Sequence, residues 1–222
     1  MWPFRKSNVK STSIKHRIKK VLSRLFPDYL IVDGSKTGLS AITFDDGPCP
    51  GNTERILEVL EQSNIKATFF LSGEEAEKSP ELVKLIHSKG HQLANHGYFH
   101  KKSHELGRGE YISGVLRTHS LLEKAAGEKI KKVFRPPFGE LNLGAGISLL
   151  KQGYQYAMWS YDTCDSYVET DIQILEHIKE DKPREAEIFL MHEDYHHLAS
   201  ALPDLIKMLR KDGHRFVRLD EI

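Results

Sequence analysis

The chain has 222 residues, of which 39% are hydrophobic and 28% are charged. This length allows one domain with a proper core, and the composition is ordinary for a soluble globular protein. Two cysteines are too few for a disulfide framework, and a net charge of +1 excludes the strongly basic balance of many nucleic-acid-binding domains.

The first 26 residues carry an uneven share of the charge. They contain eight lysines and arginines and no acidic residue, which leaves the rest of the chain near −7. Residues 13–26 have apolar side chains at helical spacing, so we expect a short basic amphipathic helix that ends at Pro27. Attachment to an anionic membrane surface is one role for such a helix. The apolar stripe is short, however, which favours packing on the body over a weak membrane contact.

From about residue 37 the sequence alternates between strand-like and helix-like periods. The predicted strands are residues 39–44, 67–71, 91–95, a segment from 133, 154–159, 187–191 and 215–219. The predicted helices are residues 52–62, 79–90, 109–126, 146–152, 170–179 and 199–211. Repeated βα units imply parallel strands, and about seven of them suit a distorted (β/α) barrel, with a doubly wound open sheet as the alternative. We therefore predict an N-terminal arm over residues 1–36 and one domain over residues 37–222.

Two adjacent carboxylates, Asp45 and Asp46, end the first predicted strand before Gly47 and Pro48 turn the chain. Two neighbouring anions repel each other, and a metal held by one carboxylate, with the other left as a base, would remove that cost. A simpler interpretation is capping of the helix that begins near Asn52. On this stretch alone the two interpretations are equally good.

Other strand ends carry side chains of the same chemical kind, and in a βα barrel those ends form the functional face. They are His96, His100, Arg135, Asp162, Asp165 and His192. The spacing of His96 and His100 brings two imidazoles to one side of a turn, although an isolated pair of this kind is more often two surface histidines. With Asp46 the pair supplies a ligand set for one divalent metal ion, Zn²⁺ first and Co²⁺, Fe²⁺ or Mn²⁺ after it.

Five segments resemble, in order, the five motifs of the polysaccharide deacetylases, also called carbohydrate esterase family 4 or NodB-homology enzymes. They are residues 43–48, 96–100, 135–139, 162–165 and 190–192. The resemblance covers about residues 38–222 and implies a NodB-type barrel as the catalytic domain. It also implies a metal-dependent hydrolase that removes acetyl from an N-acetylated amino sugar in a glycan or glycolipid.

The resemblance implies a role for individual residues. Asp46, His96 and His100 would hold the metal. Asp45 would be the catalytic base paired with Arg135, and His192 the catalytic acid oriented by Asp165, although Asp162 and Asp165 could exchange roles. The remaining implied contacts are the backbone N–H of Phe138 as oxyanion donor and Leu190 on the floor of the acetyl pocket. Tyr161 is a candidate aromatic contact to the sugar.

Two positions depart from the family pattern and leave the substrate open. Gly97 stands where Ser or Thr is usual, and Ser166 where a Trp of the substrate wall is common. One alternative is therefore a metal-dependent amidase or deformylase that acts on a small non-sugar molecule. Another is a catalytically silent glycan-binding protein, although such a protein has no need for a base and an acid together.

The sequence also bears on location and partners. No apolar run approaches the ~20 residues of a membrane span, and the first residues lack the apolar segment of a secretory signal. We therefore expect a cytoplasmic or peripherally membrane-associated protein. The expected partner is an N-acetylated glycan or amino sugar, and the acidic body argues against nucleic acid.

Overall fold

The structure is a computed structural model that describes residues 28–222. The helix predicted at residues 13–26 lies outside the described residues. The strands are β1 (Leu30–Ile31), β2 (Ser40–Asp45), β3 (Thr68–Leu71), β4 (Gln92–Asn95), β5 (Val133–Phe134), β6 (Gln155–Ala157), β7 (Tyr161–Asp162), β8 (Ile188–His192) and β9 (Phe216–Val217). The helices are α1 (Asn52–Gln62), α2 (Gly73–Lys78), α3 (Pro80–Ser88), α4 (Arg108–Ala126), α5 (Leu143–Lys151), α6 (Asp171–Glu180) and α7 (His196–Lys211).

The strands form one parallel sheet in the order β1-β6-β5-β4-β3-β2-β8-β7, and β9 also pairs with β2. Strands that are neighbours both in the chain and in the sheet, such as β2 and β3 or β7 and β8, are joined by helices, as parallel pairing requires. The predicted (β/α) barrel is confirmed, and within residues 28–222 its strand order has two open ends, β1 and β7. Leu30 and Ile31 pair with β6, so the sheet extends into the range that the sequence analysis gives to the N-terminal arm.

Alternating side chains of the strands supply two apolar layers. Ile42 and Phe44 of β2 lie in an outer cluster, between the sheet and the helices, whereas Ala41 belongs to an inner cluster inside the barrel. Each fully buried large apolar side chain contributes ~1.5–3 kcal/mol to folding. The inner cluster includes the small residues Ala94 and Ala157, and the guanidinium of Arg135 lies beside them, donating from Nε to the carbonyl of Ala157 over 3.4 Å.

The helices begin and end as their sequences indicate. In α1 the Glu54 carboxylate accepts from the Gly51 N–H at 2.6 Å, and α3 has Pro80 in its first turn. In α6 the hydroxyl of Thr170 and the side chain of Gln173 cap each other's backbone N–H groups. Within the part of the chain that the structure describes, no helix combines the length and the apolar character needed to cross a bilayer.

Candidate active site

The register of the sheet places the polar residues at the C-terminal ends of the strands along one edge. Asp45 at the end of β2 is the direct partner of His192 at the end of β8. Asn95 at the end of β4 pairs with Phe134 of β5, so His96 and Arg135 follow at the same edge. The residues predicted from distant parts of the sequence therefore meet in one cleft at the C-terminal end of the barrel.

Asp46, His96 and His100 point their ligand atoms at one another. Asp46 Oδ1 lies 3.3 Å from His96 Nε2 and 3.1 Å from His100 Nε2. This oxygen is buried and has no hydrogen-bond partner among the described residues. Zinc bonds of 2.0–2.2 Å in tetrahedral geometry would separate ligand atoms by ~3.3 Å. The donor set and its spacing therefore fit one divalent cation.

Surrounding contacts fix the orientation of these groups. His96 Nδ1–H donates to the carbonyl oxygen of Arg135 at 2.9 Å, which leaves Nε2 with the lone pair that a ligand needs. The His100 ring packs on His96 and on Phe138, with ring centroids 5.5 and 4.5 Å apart. Burial opposes ionisation of Asp46, but the two neighbouring histidines outweigh burial and lower its pKa to about 2.

Asp45 faces the barrel interior and forms a buried ion pair. Its Oδ1 lies 2.7 Å from Arg135 Nη1, which also donates to the Thr43 hydroxyl at 2.8 Å. Arg135 is completely buried, donates from Nη2 to the Met158 carbonyl at 3.0 Å and lies 3.9 Å from the Phe70 ring centroid. All three guanidinium nitrogens donate hydrogen bonds within the protein, so the positive charge is held against the Asp45 carboxylate. A carboxylate fixed in this way is suited to accept a proton from water.

His192 is paired with Asp165, one of the two carboxylates that the sequence left open. His192 Nδ1 lies 3.1 Å from Asp165 Oδ1, and the backbone N–H of His192 donates to Oδ2 at 2.7 Å. Asp162 instead accepts from the backbone N–H of Cys164 at 2.9 Å. Burial favours neutral His192, but Asp165 together with Asp45 and Asp46 raises the pKa of His192 to about 9. The imidazolium is thus available as an acid at neutral pH.

The three residues predicted to contact substrate lie in different environments. Phe138 has φ 58° and a half-exposed ring beside His100. Leu190 is buried, and because its neighbours Phe189 and Met191 belong to the outer cluster, its side chain faces the barrel interior.

Tyr161 does not face the cleft, so its assignment as a sugar contact is wrong. Its β-sheet partner is Phe189, and paired residues point to the same face of a sheet. The two ring centroids are 5.5 Å apart in the outer cluster, and the Tyr161 hydroxyl donates to the carbonyl of Asp181. The physical reason is that residue 161 lies within a strand, where alternation sends its side chain outward.

The structure also places residues at the site that the sequence analysis did not single out. Thr43 shares Arg135 with Asp45, and Glu193 is fully buried directly after His192. The alternation of β2 could have identified Thr43, because it lies two residues before Asp45 on the same face. Nothing in the run of His192, Glu193 and Asp194 distinguishes the buried carboxyl from the exposed one.

Comparisons with known proteins identify similar chains. A sequence model described as polysaccharide deacetylase matches residues 34–157. A peptidoglycan-N-acetylglucosamine deacetylase of Bacillus cereus is 42% identical over 125 residues, 56% of this chain and 45% of that relative. A second B. cereus protein of the same description is 32% identical over 82% of this chain and 86% of its own length. This chain therefore spans less than half of the first relative and most of the second.

A solved structure resembles the whole fold. The crystal structure of a peptidoglycan N-acetylglucosamine deacetylase in complex with 4-naphthalen-1-yl-N-oxidanyl-benzamide superposes with a TM-score of 0.82 at 33% identity. The match covers 90% of this chain and 95% of the other. The similarity therefore includes the elements on both sides of the cleft.

Proposed function

Because the chain belongs to the polysaccharide deacetylase family, we propose that it hydrolyses the acetamide of an N-acetylated amino sugar. The names of the relatives point to N-acetylglucosamine of peptidoglycan as the substrate class to test first. One observation carries the proposal: an Asp45–Arg135 pair and a His192–Asp165 pair flank the same cluster of ligand atoms.

Asp46, His96 and His100 would hold the divalent cation, for which we propose Zn²⁺. When bound, such a cation supplies Lewis acidity, which polarises a carbonyl group and makes a nearby water more acidic. The rest of the chemistry belongs to side chains of this chain.

The two ion pairs divide the proton transfers between them. Asp45 takes a proton from the attacking water, and its ion pair with Arg135 holds the carboxylate in place for this step. As the carbon–nitrogen bond breaks, His192 gives a proton to the departing nitrogen, which would otherwise leave as an unstable anion. Asp165 holds His192 in the tautomer that carries this proton on Nε2. One water is consumed, and acetate and a free amine are formed.

Two further residues suit the acetyl group. The backbone N–H of Phe138 is the proposed donor to the developing oxyanion, where one correctly placed donor contributes ~10²–10³-fold. Leu190, buried on the inner face beside the acid, offers an apolar surface to the acetyl methyl.

The direct test is acetate release from N-acetylglucosamine oligomers and from peptidoglycan. The protein is freed of metal and then supplied separately with Zn²⁺, Co²⁺, Fe²⁺ or Mn²⁺, beside a chelated control. We expect metal-dependent release from the glycans. If none of the glycans releases acetate in a metal-dependent way, the proposal is refuted.

The second candidate is a metal-dependent amidase for small molecules, and one observation favours it. Ser166 stands where the family pattern commonly has a Trp, and the next residue, Tyr167, is 68% exposed. If the wall no longer binds sugar rings, small N-acyl compounds in the same screen will be hydrolysed while the oligomers stay intact. Binding of oligomers without any acetate release would instead indicate a silent glycan-binding protein.

A further inference from the structure

Glu193 is a fully buried carboxyl residue for which the proposed reaction has no use. Its backbone N–H donates to the carbonyl oxygen of Asp45 at 3.1 Å. Its own carbonyl accepts from the Asn52 side-chain amide at 2.9 Å, and its Oε2 accepts from the Thr53 hydroxyl. The residue therefore ties the end of β8 to the end of β2 and to the first turn of α1.

The Glu193 carboxyl occupies the space that a side chain of residue 47 would fill. A Cβ built on Gly47 would lie 2.0 Å from Glu193 Oε1 and 2.2 Å from its Cδ. The φ angle of Gly47 lies outside the left-handed region, so backbone conformation does not demand glycine here. The close approach of Glu193 does.

The contact between Glu193 and Gly47 lies next to a strained backbone conformation at Asp46. Asp46 has φ 74°, a strained conformation for a residue other than glycine. That conformation turns the Asp46 carboxylate towards the two histidines while Asp45 stays on the face of Arg135. Strain of this kind persists only where surrounding contacts hold the chain. Gly47 follows directly, and Glu193 lies against it.

We propose that Glu193 is a positioning residue: its carboxyl, seated against Gly47 and held by Thr53, fixes the turn that orients Asp45 and Asp46. This inference rests on the proposed function in naming these two carboxylates as base and metal ligand. Burial raises the pKa of Glu193 to about 8, which favours the uncharged carboxyl at neutral pH.

The test measures zinc affinity, by competition with a chromophoric chelator, together with kcat and KM for acetate release. For Glu193→Ala we expect a ~10–100-fold loss of zinc affinity and a lower kcat at little-changed KM. Glu193→Gln keeps the shape and an acceptor for Thr53, so its zinc affinity should stay near the wild-type value. Ile178→Ala, in the buried core of α6, is the control for general destabilisation and should lower Tm but not zinc affinity.

A second variant approaches the same contact from the other side. Gly47→Ala should displace the intact Glu193 carboxyl and weaken zinc binding on its own. Combined with Glu193→Ala, which opens the space, it should cost no more than Glu193→Ala alone. If Glu193→Ala does not fold, Gly47→Ala decides the question.

Two results would overturn the inference: unchanged zinc affinity in Gly47→Ala or in folded Glu193→Ala, or simple addition of the two losses in the double variant. Because zinc binding is measured apart from turnover, the test also separates the role of Glu193 from the proposed deacetylase function. A wild-type protein that binds zinc but releases no acetate would defeat the proposed function, and the zinc series would still test Glu193.

Discussion

At the scale of single residues, the site separates two carboxylates that are neighbours in the sequence. Asp45 ends β2 on the inner face, 2.7 Å from Arg135, and Asp46 leaves the strand with φ 74° and contacts His96 and His100. The Arg135 guanidinium compensates the charge of Asp45, and the proposed cation would compensate that of Asp46, which relieves the repulsion within the Asp-Asp pair. The helix-capping interpretation is wrong, because the N-cap residue of α1 is Gly51 and neither aspartate caps the helix.

Removing either proton-transfer group should stop hydrolysis without removing the metal. For Asp45→Asn and for His192→Ala we expect kcat to fall by ~10²–10⁴-fold. Zinc affinity should persist, since neither residue belongs to the ligand cluster. Asp204→Asn, an exposed carboxylate of α7, is the matched control. A variant of Asp45 or His192 that keeps most of its acetate release would refute the role given to that residue.

Replacing the partner of His192 should move the pH profile in a defined direction. Asp165 raises the pKa of His192, and the acid must be protonated to work, so activity falls as pH rises through that pKa. Asp165→Asn keeps the shape but removes the charge, so the alkaline limb of kcat should shift to lower pH. A pH–rate profile with an unmoved alkaline limb would show that Asp165 does not tune the acid.

The His192–Asp165 pair should also make the free energy of unfolding depend on pH. The folded pKa of His192, about 9, lies above the ordinary value of 6.5. The stabilisation is therefore complete below about pH 6.5 and is lost as pH rises towards 9. Urea unfolding of the metal-free wild type and Asp165→Asn should differ most at pH 6 and least at pH 10. A difference that grows with pH would contradict this sign.

At the scale of elements, the spacing of apolar residues along the sequence predicted the long strands and helices. The run of residues 52–62 and the helix beginning near residue 109 match α1 and α4 closely. Strands of two residues, such as β1 and β7, carry too few positions for alternation to be seen. This explains the wrong prediction for Tyr161. The residue was expected in a loop that faces the cleft, but it is one of the two residues of β7, and its side chain points outward.

The packing of α1 under the turn gives a stability prediction. Leu60 of α1 is completely buried in the outer cluster, so Leu60→Ala should cost ~2–5 kcal/mol of unfolding free energy. Ile172 on α6 is 63% exposed, and Ile172→Ala should change it by less than ~0.5 kcal/mol. Urea unfolding measures both. Equal losses in the two variants would mean that α1 does not pack as described.

At the scale of the whole molecule, ordered motifs predicted the assembly of one cleft from distant loops. The proposed metal ligands and proton-transfer residues could be predicted because their chemistry restricts which side chains can serve. Glu193 could not, because its importance comes from burial against Gly47, a contact between β8 and the turn after β2. The cytoplasmic or membrane-peripheral location and the division at residue 36 stay predictions.

The basic arm can be tested separately. If residues 13–26 pack on the acidic body, deleting residues 1–26 should leave co-sedimentation with vesicles of anionic lipid unchanged. Attachment to a membrane would contribute ~1 kcal/mol for each basic residue near the surface. Loss of co-sedimentation on deletion would therefore favour the membrane contact.

The central claim is that one cation bridges Asp46, His96 and His100 between the base and the acid. Anomalous diffraction from crystals of the protein grown with Zn²⁺ tests it most directly. The account predicts a single strong peak about 2.0–2.2 Å from an Asp46 oxygen and from Nε2 of both histidines. Zinc bound elsewhere, or a structure in which these three side chains do not share an ion, would contradict it.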